Sequence, residues 1–332
     1  MHRYFIFILL LITLNPRPIS NQTSYEPIFD GNSAFEYLEA QCSFGPRPPG
    51  SDNLSKCREY ITDQIESSGW VVELQNFTYR DTKCVNIIAK SQNPNQSRFV
   101  LGAHYDTRPL ADQDPAIENR TLPVLGANDG ASGVAVLLEL ANSLPEKTRS
   151  IVEFVFFDAE DSGEINGWDW IVGSSKYVDL LSEQERTAIR GMILADMVGD
   201  ESLRIPRERF STDSLQNRIW EKADTLGYSD VFLDTAGGSI IDDHRPFIDA
   251  GIPAVDLIHY PFPWYWHTRE DTPDKCSGDS LEAVGSVLES FLHEQQTGIT
   301  SFLPEPPIQV EWLVVIVVPV IAAMTIILYR RR

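Results

Sequence analysis

The chain has 332 residues, of which 42% are hydrophobic and 23% charged, enough to bury a large core without help from a partner. A formal net charge of −21 excludes backbone-driven binding of nucleic acid, because phosphates would be repelled. Cys42, Cys57, Cys84 and Cys276 form no Cys-X-X-Cys pair, which excludes a zinc finger or redox dithiol; in an exported chain one or two disulfides are expected, with three pairings open.

Residues 4–14 (YFIFILLLITL) follow Arg3 and precede Asn15-Pro16-Arg17-Pro18, a pattern that predicts a signal peptide over 1–20. Helices are expected at 33–41 and 53–67, the second placing Leu54, Cys57, Ile61 and Ile65 along one face. The connector 45–50, rich in Gly and Pro, separates them. Segments 71–79 and 85–89 read as a strand hairpin. Strands follow at 99–103, 151–157, 192–196 and 254–258, with helices at 133–143, 215–226, after Asp242-Asp243-His244, and at 281–295. Near-continuous apolar strands alternating with helices predict an α/β protein, a three-layer α/β/α stack around a mixed, mainly parallel sheet.

This catalytic domain is expected to span 33–296. A Pro-containing tether, 297–311, leads to the uncharged apolar run 312–329 (WLVVIVVPVIAAMTIILY), and Arg330-Arg331-Arg332 follows directly. That order predicts a single-pass membrane helix with a basic cytoplasmic tail at 330–332 and an extracytoplasmic domain. Asn21, Asn53, Asn76, Asn95 and Asn119 each begin an Asn-X-Ser/Thr triplet, which fits the same export.

In open parallel sheets, ligands collect beyond the carboxyl ends of the strands. His104 and Asp106 follow the strand FVLGA, Asp158 to Asp161 follow IVEFVFF, and Asp196 follows MILA. Asp129 lies in the glycine-rich turn Asn128-Asp129-Gly130 before a helix, where it could bind a cation or cap the helix. Adjacent Glu160 and Asp161 are costly to place together unless a cation or shared proton relieves them. Asp161 is therefore assigned to a metal and Glu160, with a raised pKa, to proton transfer. His267 ends an aromatic loop, Pro261-Phe262-Pro263-Trp264-Tyr265-Trp266-His267, and completes a set of zinc ligands with these acids. Asp242 either caps the following helix or orients a catalytic group. Neither a Gly-X-Ser-X-Gly elbow nor a phosphate-binding GxxxxGK[ST] loop occurs.

The stretches GAHYDTRPLADQDP, LGANDGASGVAVLLELA, FVFFDAEDSG, ILADMVGD, DDHRPFIDAGIPAVDLI and PFPWYWHTREDTPD together resemble the zinc exopeptidases of metallopeptidase family 28, especially the glutaminyl-peptide cyclotransferase branch. The resemblance runs from about Phe35 to Glu294 and implies the zinc exopeptidase fold. It implies one zinc ion held by Asp129, Asp161 and His267, with Glu160 as general acid–base. Asp196 and Asp242 would form a supporting hydrogen-bond network, and Trp266 with either Trp168 or Trp170 would line the pocket. The substrate would be the N-terminal glutamine of a peptide or protein, cyclised to pyroglutamate with loss of ammonia. In the aminopeptidase branch two metals are implied, His104 and Asp196 completing the second site with Asp129 bridging. A catalytically silent, receptor-like ectodomain is a third reading, opposed by the intact Glu160. Trp266 directly before His267 resembles the cyclases, whereas Asp161 departs from vertebrate cyclases, which carry a second glutamate there.

Overall fold

The computed structural model describes residues 25–298. The leader at 1–20, nearly all of the tether, the apolar run 312–329 and the basic tail lie outside the described residues. Among the described residues no helix is long and apolar enough to cross a membrane.

Helix α1 (Gly31–Ser43) starts where Asp30 accepts hydrogen bonds from the backbone N–H groups of Asn32 and Ser33, at 2.8 and 3.2 Å. Helix α2 (Asp52–Ser67) is capped by Ser51, and buries Leu54, Cys57, Ile61 and Ile65 as their spacing predicts. Strands β1 (Val71–Tyr79) and β2 (Thr82–Lys90) form the expected hairpin. Its two loop residues, Arg80 and Asp81, both have positive φ, the twist that a tight two-residue turn requires.

The sheet is completed by β3 (Arg98–His104), β4 (Val152–Phe157), β5 (Ile189–Asp196) and, later in the chain, β8 (Ala254–Ile258). Its order is β1-β2-β4-β3-β5-β8; β4, β3, β5 and β8 run parallel, and β2 joins β4 antiparallel. Side chains alternate between two cores, which is why the central strands are mostly apolar on both faces. Phe99, Leu101, Phe154, Phe156 and Ile193 point into one core; Val100, Val155, Phe157, Met192 and Leu194 point into the other. Each such fully buried side chain contributes about 1.5–3 kcal/mol relative to exposure.

The first core is covered by α1, α2, α3 (Ala131–Ser143), α7 (Asp213–Leu226) and α9 (Gly278–Thr297). Gly133 lets α3 lie directly on the sheet, since a Cβ there would stand 2.0 Å from the carbonyl oxygen of Ala195. Across the sheet lie α5 (Val172–Leu180), α6 (Glu183–Ala188) and α8 (Arg245–Asp249). The short α4 (Glu146–Arg149), α5, α6 and the two-stranded pair β6 (Ile205–Arg207) and β7 (Phe232–Ala236) are elements the hydrophobic pattern does not foresee.

Helix α9 traverses the domain. At its first turn Ser280 donates to the carbonyl of Asp200, beyond β5; near its last turn Gln295 accepts from Arg190, at the opposite end of that strand. The expected disulfides are not formed. Cys42, Cys57, Cys84 and Cys276 are buried free thiols, and burial pushes Cys42 up to about 12 and Cys57 to about 11, so both stay protonated and unreactive.

Candidate metal centre and active site

Five chain segments meet at the carboxyl edge of the sheet. His104 is the last residue of β3, Asp196 the last of β5, and Glu160 and Asp161 follow β4 in a turn where Ala159 has φ +61°. Asp129 precedes α3, and His267, with φ +55°, follows β8. His104, Asp129, Glu160, Asp161, Asp196, Asp242 and His267 are all buried. So many carboxylates in a dry site demand compensation.

Two overlapping groups have the geometry for it. Ligand atoms of His104, Asp129 and Asp196 lie within 4.8 Å of one another, as do those of Asp129, Asp161 and His267. Asp129 presents Oδ1 to His104 Nε2 at 3.2 Å and Oδ2 to His267 Nε2 at 3.5 Å. His104 Nε2 stands 3.2 Å from Asp196 Oδ1, and His267 Nε2 stands 3.1 Å from Asp161 Oδ1. Bonds of about 2.0–2.1 Å around a tetrahedral zinc place neighbouring ligand atoms roughly 3.3 Å apart. A single imidazole N–H could satisfy only one of the two carboxylates each ring faces, and buried Asp161 Oδ2 makes no hydrogen bond. The donor set therefore fits a divalent cation.

Titration directions express the crowding. Burial, then Asp242 and Asp161, raise Glu160 well above the usual carboxylate range against the opposing pull of His104. Burial lifts Asp161 to about 7 despite Arg108, and burial with Asp196 lifts Asp242 to about 8. Burial lowers His267 to about 3, keeping its ring neutral and able to donate a lone pair.

A second layer of carboxylates positions the first. Asp106, expected among the ligands, instead accepts hydrogen bonds from the backbone N–H groups of Glu160 and Asp161 at 3.0 and 3.2 Å. Asp158 likewise serves the backbone, accepting from Val85 N–H at 2.7 Å. Asp129 does not cap α3, which Gly130 begins with no side-chain cap. A Cβ at Gly130 would stand 2.6 Å from the Asp106 carbonyl oxygen, so glycine lets this loop close on β3. Asp242 leaves α8 uncapped as well; its Oδ1 accepts from Asp243 N–H.

Three supporting residues escape the sequence reading. Asp271 accepts from the N–H groups of Asn128 and Asp129; Arg108 reaches Asp161 Oδ1 at 3.2 Å and pairs with Asp112; and Asp112 Oδ1 lies 3.8 Å from His267 Nδ1. Their only signal was membership of the stretches DTRPLADQDP and HTREDTPD.

A pocket of about 370 Å³ opens onto Glu160 and the acids, walled by Trp170, Ile240, Phe262 and Trp266. Trp266 stacks on His267 with centroids 3.6 Å apart, and Phe262 stacks on Trp266. Trp170 lies parallel to His267 at 6.1 Å, with the Arg108 guanidinium 4.7 Å from its ring centroid. Trp168, the alternative to Trp170, is corrected: it packs edge-on against Tyr79 and takes no part in the wall.

A mixed α/β/α stack with this carboxylate and imidazole cluster beyond its strand ends is the fold of the zinc exopeptidases. Its family profile, Peptidase family M28, matches residues 86–292, and the chain belongs to that family. It is 33% identical to Porphyromonas gingivalis glutaminyl cyclase, whose structure superposes with a TM-score of 0.76 over 81% of this chain and 99% of that one. A leucine aminopeptidase precursor from Bacteroides thetaiotaomicron gives the same identity, coverage and TM-score. Glutaminyl-peptide cyclotransferase of Bos taurus is 26% identical over 75% of this chain and 78% of its own length. Aminopeptidase YwaD of Bacillus subtilis is 31% identical over 71% of this chain, which spans about half, 49%, of that relative.

Proposed function

We propose that this chain is a zinc-dependent glutaminyl-peptide cyclotransferase acting on peptides or proteins that begin with glutamine. The observation that carries this reading is the aromatic enclosure of His267 by Trp266, Phe262 and Trp170 beside buried Glu160. Such a pocket holds a small folded residue and excludes water, which favours ring closure over hydrolysis. Asp129, Asp161 and His267 would hold the metal. When bound, zinc supplies Lewis-acid polarisation of the side-chain amide carbonyl.

The chain's own groups handle the protons. The substrate α-amine bonds to the side-chain carbonyl carbon, and the bond from that carbon to the amide nitrogen breaks. Glu160 accepts the amine proton and delivers it to the departing ammonia. Asp106 fixes this carboxylate by gripping its backbone, while burial, with Asp242 and Asp161 beside it, keeps its proton affinity high.

Aminopeptidase activity is the second reading, favoured by one feature: Asp129 turns one oxygen to each histidine, so residues for two cations are in place. There Glu160 would act as base toward water and the first peptide bond would break. Mass spectrometry of glutamine- and leucine-initiated peptides incubated with the domain and zinc separates the two. Loss of ammonia from the glutamine peptide alone supports the cyclase; release of the first residue overturns it. We further infer from 312–329 and Arg330-Arg331-Arg332 that the domain is membrane-held outside the cytoplasm. Extraction of the full chain from membranes by alkaline carbonate alone would oppose this.

A further inference from the structure

We infer that the groove between β1 and α5 binds the residues of the substrate that follow its N-terminal one, so the chain acts on extended peptides in preference to dipeptides. The inference rests on the peptide-processing reading above and names a surface outside the metal pocket. The groove has a volume of about 470 Å³, and Phe77, Tyr79, Asp169, Val172, Ser175 and Lys176 are among its walls. Trp170 belongs to both cavities: it closes the metal pocket on one side and forms the upper end of the groove on the other. The two cavities therefore adjoin at this indole, and a peptide whose first residue lies beside Glu160 has its following residues directed toward the groove.

The rim at that point is built to stay in place. Gly163 lets the indole lie flat against the turn, since a Cβ there would stand 2.0 Å from Trp170 Cδ2. Tyr79 donates a 2.5 Å hydrogen bond to Asp169 and packs on Trp168, tying the 164–170 loop to the end of β1. Below this rim, among the described residues β1 is the outermost strand of the sheet and pairs with one strand, β2, while Asn76 Nδ2 donates to the Leu74 carbonyl oxygen. A sheet edge with free backbone groups, beside pockets for alternate side chains, is suited to an extended peptide. Aromatic walls from Phe77 and Tyr79, with Lys176 and Asp169 at hand, offer both apolar and charged contacts.

Calorimetric titration of the zinc-loaded Glu160→Gln domain with Gln-Ala amide and with a glutamine-initiated octapeptide tests the groove without requiring turnover. The octapeptide is expected to bind at least ~10-fold more tightly, and Ser175→Tyr, which fills the groove from α5, should remove that gain while leaving the dipeptide's affinity unchanged. Equal affinities for the two lengths, or an equal loss for both in Ser175→Tyr, would overturn the inference. In the catalytically intact domain, kcat/KM should rise with length by a similar factor, whichever product forms. Failure of every glutamine peptide to lose ammonia would sink the proposed reaction and leave the binding comparison to decide the groove.

Discussion

The carboxylate of Asp271 grips the backbone of Asp129 through a 3.0 Å hydrogen bond, and its second oxygen takes the neighbouring Asn128 N–H at 2.8 Å. One side chain, 142 positions away, thus sets the direction in which Asp129 points both of its oxygens. Asp271→Asn keeps one acceptor but turns an NH₂ group toward the other N–H. Zinc affinity is expected to fall by about 10–100-fold, the usual scale for a group that orients a ligand. Competition with a fluorescent chelator measures it; unchanged affinity would remove Asp271 from this role.

Glu160 lines the pocket without belonging to either ligand group. Glu160→Gln should leave zinc stoichiometry intact and lower turnover by at least ~100-fold, the scale of lost general acid–base catalysis. Metal analysis alongside an ammonia-release assay reads both. Wild-type turnover in the folded variant would show that another group moves the proton.

Glu208 accepts hydrogen bonds from the N–H groups of Phe210, Ser211 and Ile240 and stands 3.3 Å from His244 Nε2. Through Ile240 it holds the 238–242 wall of the pocket. Burial pushes this carboxyl up, but His244 and the backbone donors prevail and hold it down to about 2. Its folded pKa lies below the ordinary 4.5, so its stabilisation is present above pH 4.5 and is lost as pH falls toward 2. Glu208→Gln is expected to cost on the order of 3 kcal/mol at neutral pH and little near pH 2. It should also raise KM more than it lowers kcat. Denaturant melts across pH, with steady-state kinetics, check both.

Glu139 on α3 carries the opposite sign. Burial first, then the charges of Asp30 and Glu289, raise it from 4.5 to about 7, while Asn142 and the backbone at Asp30 oppose the shift. A raised carboxyl favours the folded state at low pH and costs stability as pH climbs from 4.5 through 7. Glu139→Gln should therefore stabilise the fold at pH 8 by on the order of 1 kcal/mol after allowance for solvent screening, seen as a higher Tm, and leave stability unchanged at pH 4. A variant less stable at pH 8 would contradict this assignment.

What the sequence revealed was whatever is local. Helix α2 was legible because Leu54, Cys57, Ile61 and Ile65 recur at helical steps, and β3, β4 and β5 because each is a mostly apolar run that ends in, or is directly followed by, a polar residue. That same ending marked His104, Asp161 and Asp196. Asp106 and Asp271 were opaque, because their partners are backbone groups up to 143 positions away and an acid in a loop looks the same whatever it grips. Strands β6 and β7, of 3 and 5 residues, are too short for alternation to register. Trp168 and Trp170 flank a single residue and differ only in facing; which one meets the pocket is decided by the turn at Gly163. Free thiols replaced the expected bridges because each cysteine was absorbed as a small apolar side chain.

Helix α9, with 20 residues and a length of about 30 Å, carries the polypeptide from the rim of the pocket to the far side of the sheet. Whatever is attached beyond Gly298 departs from that far side. An affinity tag, a surface-immobilisation linker or a fused reporter placed there leaves the mouth facing outward, and the domain can be captured on a solid support with its entrance still open to long peptides.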